Sequence, residues 1–193
     1  MTKKILIFES SPRKKGNTAV LARQASEALI SAGVEVETLH LHGMKIAPCN
    51  HCDGCIRKKV NCVIEDDMQA IYAKLAAADG VILASPIYWF SYNAQLKVFI
   101  DRWYGIAQVQ SDFLKGKPMG VILVYGDSDV FTSGATNAIR IFEDTARWVK
   151  SGPVSFVYGT ANDVGDAEKD AGLMERARQL GEKMGKLLQQ RVL

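Results

Sequence analysis

All four cysteines of the chain lie in one short segment, at Cys49, Cys52, Cys55 and Cys62. Three thiolates at a spacing of three, in a loop that contains Gly54, can converge on one cuboidal iron–sulfur cluster, and the fourth closes the site after a short excursion. A disulfide framework would spread its cysteines along a secreted chain, so metal or redox chemistry is the better interpretation. Zinc usually takes two Cys-x2-Cys pairs held further apart, and free cysteines are the other alternative.

A second candidate site is a turn rich in hydrogen-bond donors between an apolar run and a helical pattern. A helix N-terminus offers unpaired N–H groups and the positive end of the helix dipole, to which Arg13 adds a fork suited to phosphate oxygens. Gly16 lets the backbone approach an anion closely. The turn therefore predicts a monophosphate site, with contacts from Ser10, Ser11, Arg13, Asn17 and Thr18.

Two other nucleotide-binding turns are excluded by the residues present. A Walker loop ends in Gly-Lys-Ser/Thr, whereas the order here is Lys15-Gly16-Asn17-Thr18. A dinucleotide-binding turn needs three glycines, and this turn has one. A proline turn followed by an ordinary helix cap is the remaining alternative.

A third candidate site is the segment 85–92, which places four aromatic residues in five positions. A flat heteroaromatic ring such as a flavin is held by apolar or aromatic faces, with polar backbone groups at its edge. We interpret Tyr88 and Trp89 as contacts to such a ring or as a lid over a substrate. Phe90 and Tyr92 are expected in the core or at a subunit contact.

Five strand-like segments alternate with helical patterns along the chain, which predicts an α/β fold with a parallel sheet and helices on both faces. They occupy residues 5–8, 34–41, 81–84, 119–125 and 154–158, and the second of them alternates apolar with polar residues. Amphipathic helical patterns follow at 17–33, 66–75, 96–103, 133–150 and 173–187. In such sheets ligands lie beyond the carboxyl ends of the strands, and each candidate site directly follows a strand.

Composition narrows the function classes. The 193 residues are 48% hydrophobic, which suits one domain, 1–193, carrying a cysteine-rich insertion at about 47–64. A net charge of +3 is too small to predict a nucleic-acid partner. No apolar stretch is long enough for a membrane span and no signal peptide is recognised, so a cytoplasmic location is expected.

The same segments resemble a known pair of families. Residues 11–18 read S-P-R-K-K-G-N-T and resemble the S-P-R-x-x-G-N-T phosphate loop of the NADPH-dependent FMN reductase and iron–sulfur flavoprotein families. Those families commonly have glycine where this chain has Ser10. Residues 85–88, S-P-I-Y, and 95–102, Q-L-K-V-F-I-D-R, resemble their ring-contact turn and the helix after it. The cysteine spacing resembles the cluster motif of the iron–sulfur flavoproteins.

The resemblance implies a flavodoxin-like, doubly wound sheet of five parallel strands in three α/β/α layers, and FMN as cofactor. The ring contacts that it implies are Ser85, Pro86, Ile87, Tyr88, Trp89, Gly126 and Asp127. Asp127 and Asp129 face water, make the flavin harder to reduce, or are simply turn residues. A [4Fe–4S] cluster on the four cysteines would pass electrons between FMN and an acceptor, with NAD(P)H as a candidate co-substrate. We assign no general acid or base, because the chemistry belongs to the cofactor.

The sequence also indicates which partners the protein would have and which other functions it could carry out. The electron donor or acceptor is a small molecule or a ferredoxin, and two basic triplets, 13–15 and 57–59, could attract an acidic one. A homodimer or homotetramer is expected. The alternatives are an NAD(P)H-dependent FMN or quinone reductase without a cluster, and a flavodoxin-like electron carrier with no substrate of its own.

Overall fold

The computed structural model describes residues 2–190 and is built on one parallel sheet. Its strands are β1 (Lys4–Glu9), β2 (Glu35–His40), β3 (Gly80–Tyr88), β4 (Ser91–Tyr92), β5 (Met119–Tyr125) and β6 (Val154–Thr160). Five parallel strands follow the order β2-β1-β3-β5-β6, and the short β4 pairs antiparallel with the end of β3. The parallel sheet that the alternating pattern predicted is therefore confirmed, and so is the flavodoxin-like, doubly wound order that the resemblance implied.

Helices connect the parallel strands and cover both faces of the sheet. They are α1 (Asn17–Ser31), α2 (Gly54–Lys58), α3 (Met68–Ala77), α4 (Ala94–Asp101), α5 (Trp103–Val109), α6 (Ala135–Trp148), α7 (Asp166–Lys169) and α8 (Ala171–Gln190). None of the helices described in residues 2–190 is long and apolar enough to cross a membrane.

The core has two layers, one on each face of the sheet, because successive strand residues point to opposite faces. On one face Ile5 and Ile7 of β1 pack with α1 and α8. On the other face Leu6 and Phe8 pack with α3 to α6. Both layers are fully buried, as the continuous apolar runs of the sequence predicted.

Two features depart from the expected elements. The helical pattern at 96–103 is two helices, α4 and α5, which meet at Arg102. The cysteine segment, expected to be a loop, contains the short helix α2. The turn at Arg102 matters for the cysteines, because that side chain points back towards their loop.

Glu9 is a buried charge at the end of β1. It is 5% exposed, and burial raises the pKa of its carboxyl to about 7 although the charge of Arg23 lowers it. His40 Nδ1 lies 2.9 Å from Glu9 Oε2, yet within residues 2–190 that oxygen accepts no hydrogen bond. The ionised form of Glu9 is therefore poorly compensated.

We predict that Glu9→Gln stabilises the protein at alkaline pH. Because the folded-state pKa lies above the ordinary value, the ionised carboxylate destabilises the fold above about pH 7, and this effect disappears as the pH falls towards 4.5. Urea denaturation should show a gain of roughly 1–3 kcal/mol in the free energy of unfolding at about pH 8.5 and almost none at about pH 4.5. The exposed Glu27→Gln should show no such pH dependence. Equal gains at both pH values would contradict the assignment.

Candidate functional site

A cleft opens at the carboxyl edge of the sheet, where the loops after β1, β5 and β6 meet the end of β3. Its volume is about 200 Å³. Its lining residues are Ser11, Arg13, Gly16, Asn17, Thr18, Pro86, Ile87, Tyr88, Val124, Tyr125, Gly126, Ala161 and Asn162. The structure thus brings together the donor-rich turn and the end of β3, which are far apart in the sequence.

The start of α1 supplies unpaired donors to this cleft. The first hydrogen bond of the helix runs from Val20 N–H to Gly16 O at 3.1 Å, so the N–H groups of Asn17, Thr18 and Ala19 precede it. Arg13 is exposed at the rim, and within residues 2–190 its guanidinium forms no ion pair. Free N–H groups at the positive end of a helix, beside a free guanidinium, suit a phosphate group.

Gly16 is required by close packing. A Cβ atom at this position would lie 2.9 Å from Arg13 Cβ and 3.1 Å from Arg13 O, closer than carbon atoms normally approach. The Arg13–Gly16 turn is itself closed by Gly16 N–H donating to Arg13 O at 2.9 Å. The tight turn therefore depends on the absence of a side chain at residue 16.

Asn17 joins the turn to the far wall of the cleft. Its side-chain N–H group donates to Ala161 O at 3.1 Å and to Asp163 O at 2.8 Å. Its side-chain oxygen accepts from the N–H groups of Gly165 and Ala167, each at 3.2 Å. The side chain predicted to contact phosphate is therefore occupied in positioning the β6–α7 loop, and only its backbone N–H remains for an anion.

Ser10 and Ser85, both predicted contacts, do not line the cleft. Each is fully buried, and the Ser10 hydroxyl donates to Ala84 O at 3.0 Å. Ser85 Oγ accepts from Asn93 N–H at 3.1 Å. Ser10 directly follows β1 and Ser85 lies within β3, and in both places the hydroxyl bonds to nearby backbone.

Asn93, which the sequence analysis missed, connects these strand ends. Its side-chain oxygen accepts from Leu96 N–H at 3.3 Å and caps α4. Its side-chain nitrogen donates to Ser10 O at 2.7 Å, across 83 residues of sequence. The available signal was an asparagine directly before a helical pattern, which indicates a cap but not the contact with β1.

The aromatic segment forms a hairpin at the mouth of the cleft. Trp89 and Phe90 lie at its tip with φ of 48° and 65°, a left-handed backbone that bulky residues rarely adopt and that costs roughly 1–3 kcal/mol for each residue. Trp89 is 93% exposed and Phe90 55% exposed, so of the two places expected for Phe90 the core is excluded and a subunit contact stays a prediction. Tyr92 is buried, with its ring centroid 5.1 Å from that of Phe142. Tyr88 lines the cleft and is half exposed.

A second hollow continues from the cleft beneath this hairpin. It is lined by Ile87, Trp89, Phe90, Tyr125, Gly126, Asp127 and Ser133. Ile87, Tyr125 and Gly126 border both spaces, so a flat ring entering from the cleft would pass between the hairpin and the end of β5.

The two aspartates after β5 have different roles. Asp129 accepts hydrogen bonds from the N–H groups of Phe131 and Thr132 and from the Thr132 hydroxyl, at 2.7–2.9 Å. The bonds from Thr132 first, and then that from Phe131, hold the pKa of Asp129 below its ordinary value. Asp129 is therefore a turn residue. Asp127 is exposed and borders the second hollow, where its charge can act on a ring.

The four cysteines line one small cavity of their own. It shares no residue with the cleft. Cys55 is buried, Cys62 is half-buried, and Cys49 and Cys52 are exposed. Within residues 2–190 no three ligating side chains stand close enough to hold a single metal ion. A cuboidal cluster is bound by one thiolate at each corner, so its ligands lie further apart than those of one ion.

Arg102 closes this cysteine loop at its base. Its guanidinium donates to Ala47 O at 2.8 Å, to Ile64 O at 3.5 Å, and to both carboxylate oxygens of Asp66, at 2.5 and 3.1 Å. Asp66 in turn accepts from the N–H groups of Ala47 and Met68. Burial would raise the pKa of Asp66, but the bonds from Arg102 and from these two N–H groups lower it overall. Both ends of the loop are thereby fixed to one buried ion pair.

The loop also lies directly against α5. A Cβ atom on Gly105 would lie 1.7 Å from Asn61 O and 3.5 Å from Cys55 Cβ, so only glycine permits this contact. His51, Asp53 and Lys59 adopt left-handed backbone conformations with φ near 53°. Backbone strain of this kind is maintained only where the surroundings fix it, and it is concentrated at functional sites.

Comparison with known proteins shows the family to which this chain belongs. The model of the family described as NADPH-dependent FMN reductase matches residues 3–162. An iron–sulfur flavoprotein of Archaeoglobus fulgidus is 37% identical over 123 residues, which are 64% of this chain and 62% of that protein. The chain therefore spans less than two thirds of that relative.

Two further matches cover nearly the whole chain. A putative NAD(P)H-dependent FMN-containing oxidoreductase of Bacillus subtilis is 29% identical over 92% of this chain and 96% of its own length. The solved structure of an NAD(P)H:quinone oxidoreductase from Methanothermobacter marburgensis superposes with a TM-score of 0.75 at 19% identity. It covers 95% of this chain and 98% of that one, and it supports the fold alone.

We predict that Gly16→Ala weakens FMN binding more than it weakens the fold. The added methyl group must displace Arg13 and so opens the turn that borders the free N–H groups. Fluorescence titration with FMN should give a dissociation constant at least about tenfold higher, equivalent to about 1.4 kcal/mol. Gly43→Ala is the matched control, because nothing lies within 4 Å of its added atom. Equal FMN affinity in the two variants would contradict the phosphate site.

Proposed function

Because this chain belongs to the NADPH-dependent FMN reductase family, we propose that it is an oxidoreductase whose cleft holds FMN. The observation that carries the proposal is the convergence of a helix N-terminus, an apolar turn and the end of β5 on one cleft. FMN has a phosphate at one end and a flat ring at the other. The helix N-terminus suits the phosphate, and the apolar surfaces of the cleft suit the ring.

The residues that line the cleft and the second hollow have separate roles in holding FMN. Ser11 and Thr18 line the cleft beside the free N–H groups of α1, and Arg13 lines the same cleft as a positive counter-charge. Pro86, Ile87 and Tyr88 form one wall for the ring, and Gly126 offers backbone groups to its edge. Trp89 covers the second hollow from the hairpin, and Asp127 adds a negative charge there. Bound FMN would supply the electron-transfer chemistry itself.

We further propose that Cys49, Cys52, Cys55 and Cys62 bind a [4Fe–4S] cluster. Three features support a fit: four thiols border one cavity, the loop is held by a buried ion pair, and Ile64 N–H lies 3.5 Å from Cys62 Sγ as a donor to sulfur. The cluster would exchange single electrons, while these residues bind it and shield it partly from water. The name of the Archaeoglobus relative also supports this assignment.

The electron partner, the location and the oligomeric state belong to the same proposal. NAD(P)H, another small molecule or a ferredoxin is the electron donor or acceptor, and the location is the cytoplasm, where free thiols persist. A homodimer or homotetramer is supported by large apolar side chains left exposed, Trp89, Phe131 and Trp148. A family member without a cluster, acting as an NAD(P)H-dependent FMN or quinone reductase, is the second candidate, supported by the Bacillus relative.

The proposal is tested by the absorption spectrum and iron content of protein purified without oxygen. We expect flavin bands on a broad shoulder that dithionite bleaches, with about four iron atoms for each chain. Cys55→Ser should lose the shoulder and the iron but keep the flavin bands, because the cleft and the cysteine cavity share no residue. Flavin bands without iron in the wild type would favour the cluster-free reductase. Protein that binds no FMN would contradict the main proposal.

The basic residues 57–59 give a prediction about the charge of the electron donor. Arg57, Lys58 and Lys59 are exposed directly after Cys55, so they would face an electron donor that approaches the cluster. Replacing all three with glutamine should slow reduction by an acidic ferredoxin about tenfold at low salt, with the difference disappearing at high salt. The same change at Lys169, Lys183 and Lys186, exposed on α7 and α8, keeps the net charge equal and serves as the control. Identical rates for both triple variants would contradict a docking role.

A further inference from the structure

One buried donor at the cysteine cavity has no partner. Arg102 is 1% exposed, and its two terminal nitrogens bond to Asp66, Ala47 and Ile64. Its Nε–H group is buried and has no hydrogen-bond partner within residues 2–190. A buried N–H group without an acceptor destabilises a protein, so such groups need an explanation.

The position of Arg102 indicates what the missing acceptor is. Its side chain borders the cavity that the four cysteines line. Cys62 lies two residues from Ile64, whose carbonyl accepts from the same guanidinium and whose N–H lies 3.5 Å from Cys62 Sγ. Burial would lower the pKa of Arg102, but Asp66 and the negative charges that Tyr72 and Cys62 can carry raise it. Of the four cysteines, Cys62 is the one that shares a bonded neighbour, Ile64, with this guanidinium.

We propose that Arg102 is a positioning residue for the cluster, with its Nε–H group donating to the thiolate of Cys62. This inference rests on the cluster of the proposed function and adds to it a residue that sets its properties. The terminal nitrogens already account for closing the loop, so the Nε–H group is free for a second role. The cluster-bound sulfur of Cys62 would be an acceptor for this donor.

The consequence is electrostatic. A hydrogen bond and a buried positive charge stabilise the more negative, reduced state of a cluster and so raise its reduction potential. Of the four ligands, Cys62 would receive two donors, Ile64 N–H and Arg102 Nε–H. The exposed Cys49 and Cys52 would depend on water.

The first test uses the wild-type protein with ¹⁵N-labelled arginine, before and after removal of iron by a chelator. We expect one arginine Nε–H resonance that is protected from exchange with solvent and whose chemical shift changes when the cluster is loaded. This measurement does not depend on the folding of any variant. A loaded protein in which no arginine Nε–H resonance changes would overturn the inference and leave the cluster itself intact.

The second test compares reduction potentials of the cluster in Arg102→Lys and in the wild type. Lysine keeps the positive charge but lacks the Nε–H group. At a fixed solution potential, the ratio of reduced to oxidised cluster should therefore fall about tenfold, which corresponds to a reduction potential lower by 59 mV for a one-electron couple. Arg140→Lys, in an exposed ion pair with Asp144, is the matched control and should show no shift. An unchanged potential in iron-loaded Arg102→Lys would overturn the inference. Wild-type protein without iron would overturn the cluster and this inference together.

Discussion

A buried polar group needs a hydrogen-bond partner, and this requirement holds the loops of both sites in place. Asn17 fixes the start of α1 to the β6–α7 loop, and Asn93 fixes the β3–α4 connection to the end of β1. Arg102 fixes both ends of the cysteine loop to the start of α5. In each case one side chain bonds to backbone groups far away in sequence. The loops are therefore positioned by specific polar contacts, while the sheet beneath them is positioned by apolar packing.

The sheet could be predicted from the sequence, because strand and helix patterns are local. Runs such as residues 5–8 and 119–125 identify buried strands on their own. The contacts of single side chains could not be predicted in the same way. Ser10 and Ser11 are identical in type and adjacent, yet one bonds to β3 and the other borders the cleft. Only the three-dimensional direction of each side chain separates them.

The same reason explains the residues that the sequence analysis missed. Arg102 lies at the end of an amphipathic pattern, where it is expected to be a solvated residue, and its partners are 36 to 55 positions away. The hairpin at Trp89 and Phe90 was missed because two aromatics do not indicate a left-handed turn. Departures from local preference at such places are expected where a site constrains the chain.

The cleft and the cysteine cavity are formed by different helices and strands of the same chain. The cleft depends on α1 and the ends of β1, β3 and β5, whereas the cysteine cavity depends on α2, α5 and the Arg102–Asp66 pair. Within residues 2–190, six non-glycine residues have a left-handed backbone, and Lys150 alone of these lies outside the two sites. Strain is therefore concentrated where ligands are proposed to bind, which supports two centres instead of one.

The central claim, two redox centres in one chain, is tested most directly by counting electrons. Anaerobically purified protein is titrated with dithionite while its absorbance is followed, and the equivalents consumed for each chain are measured. The account predicts about three, two for FMN and one for the cluster. Two equivalents with flavin bands alone would contradict the cluster, and no uptake with no flavin bands would contradict the account as a whole.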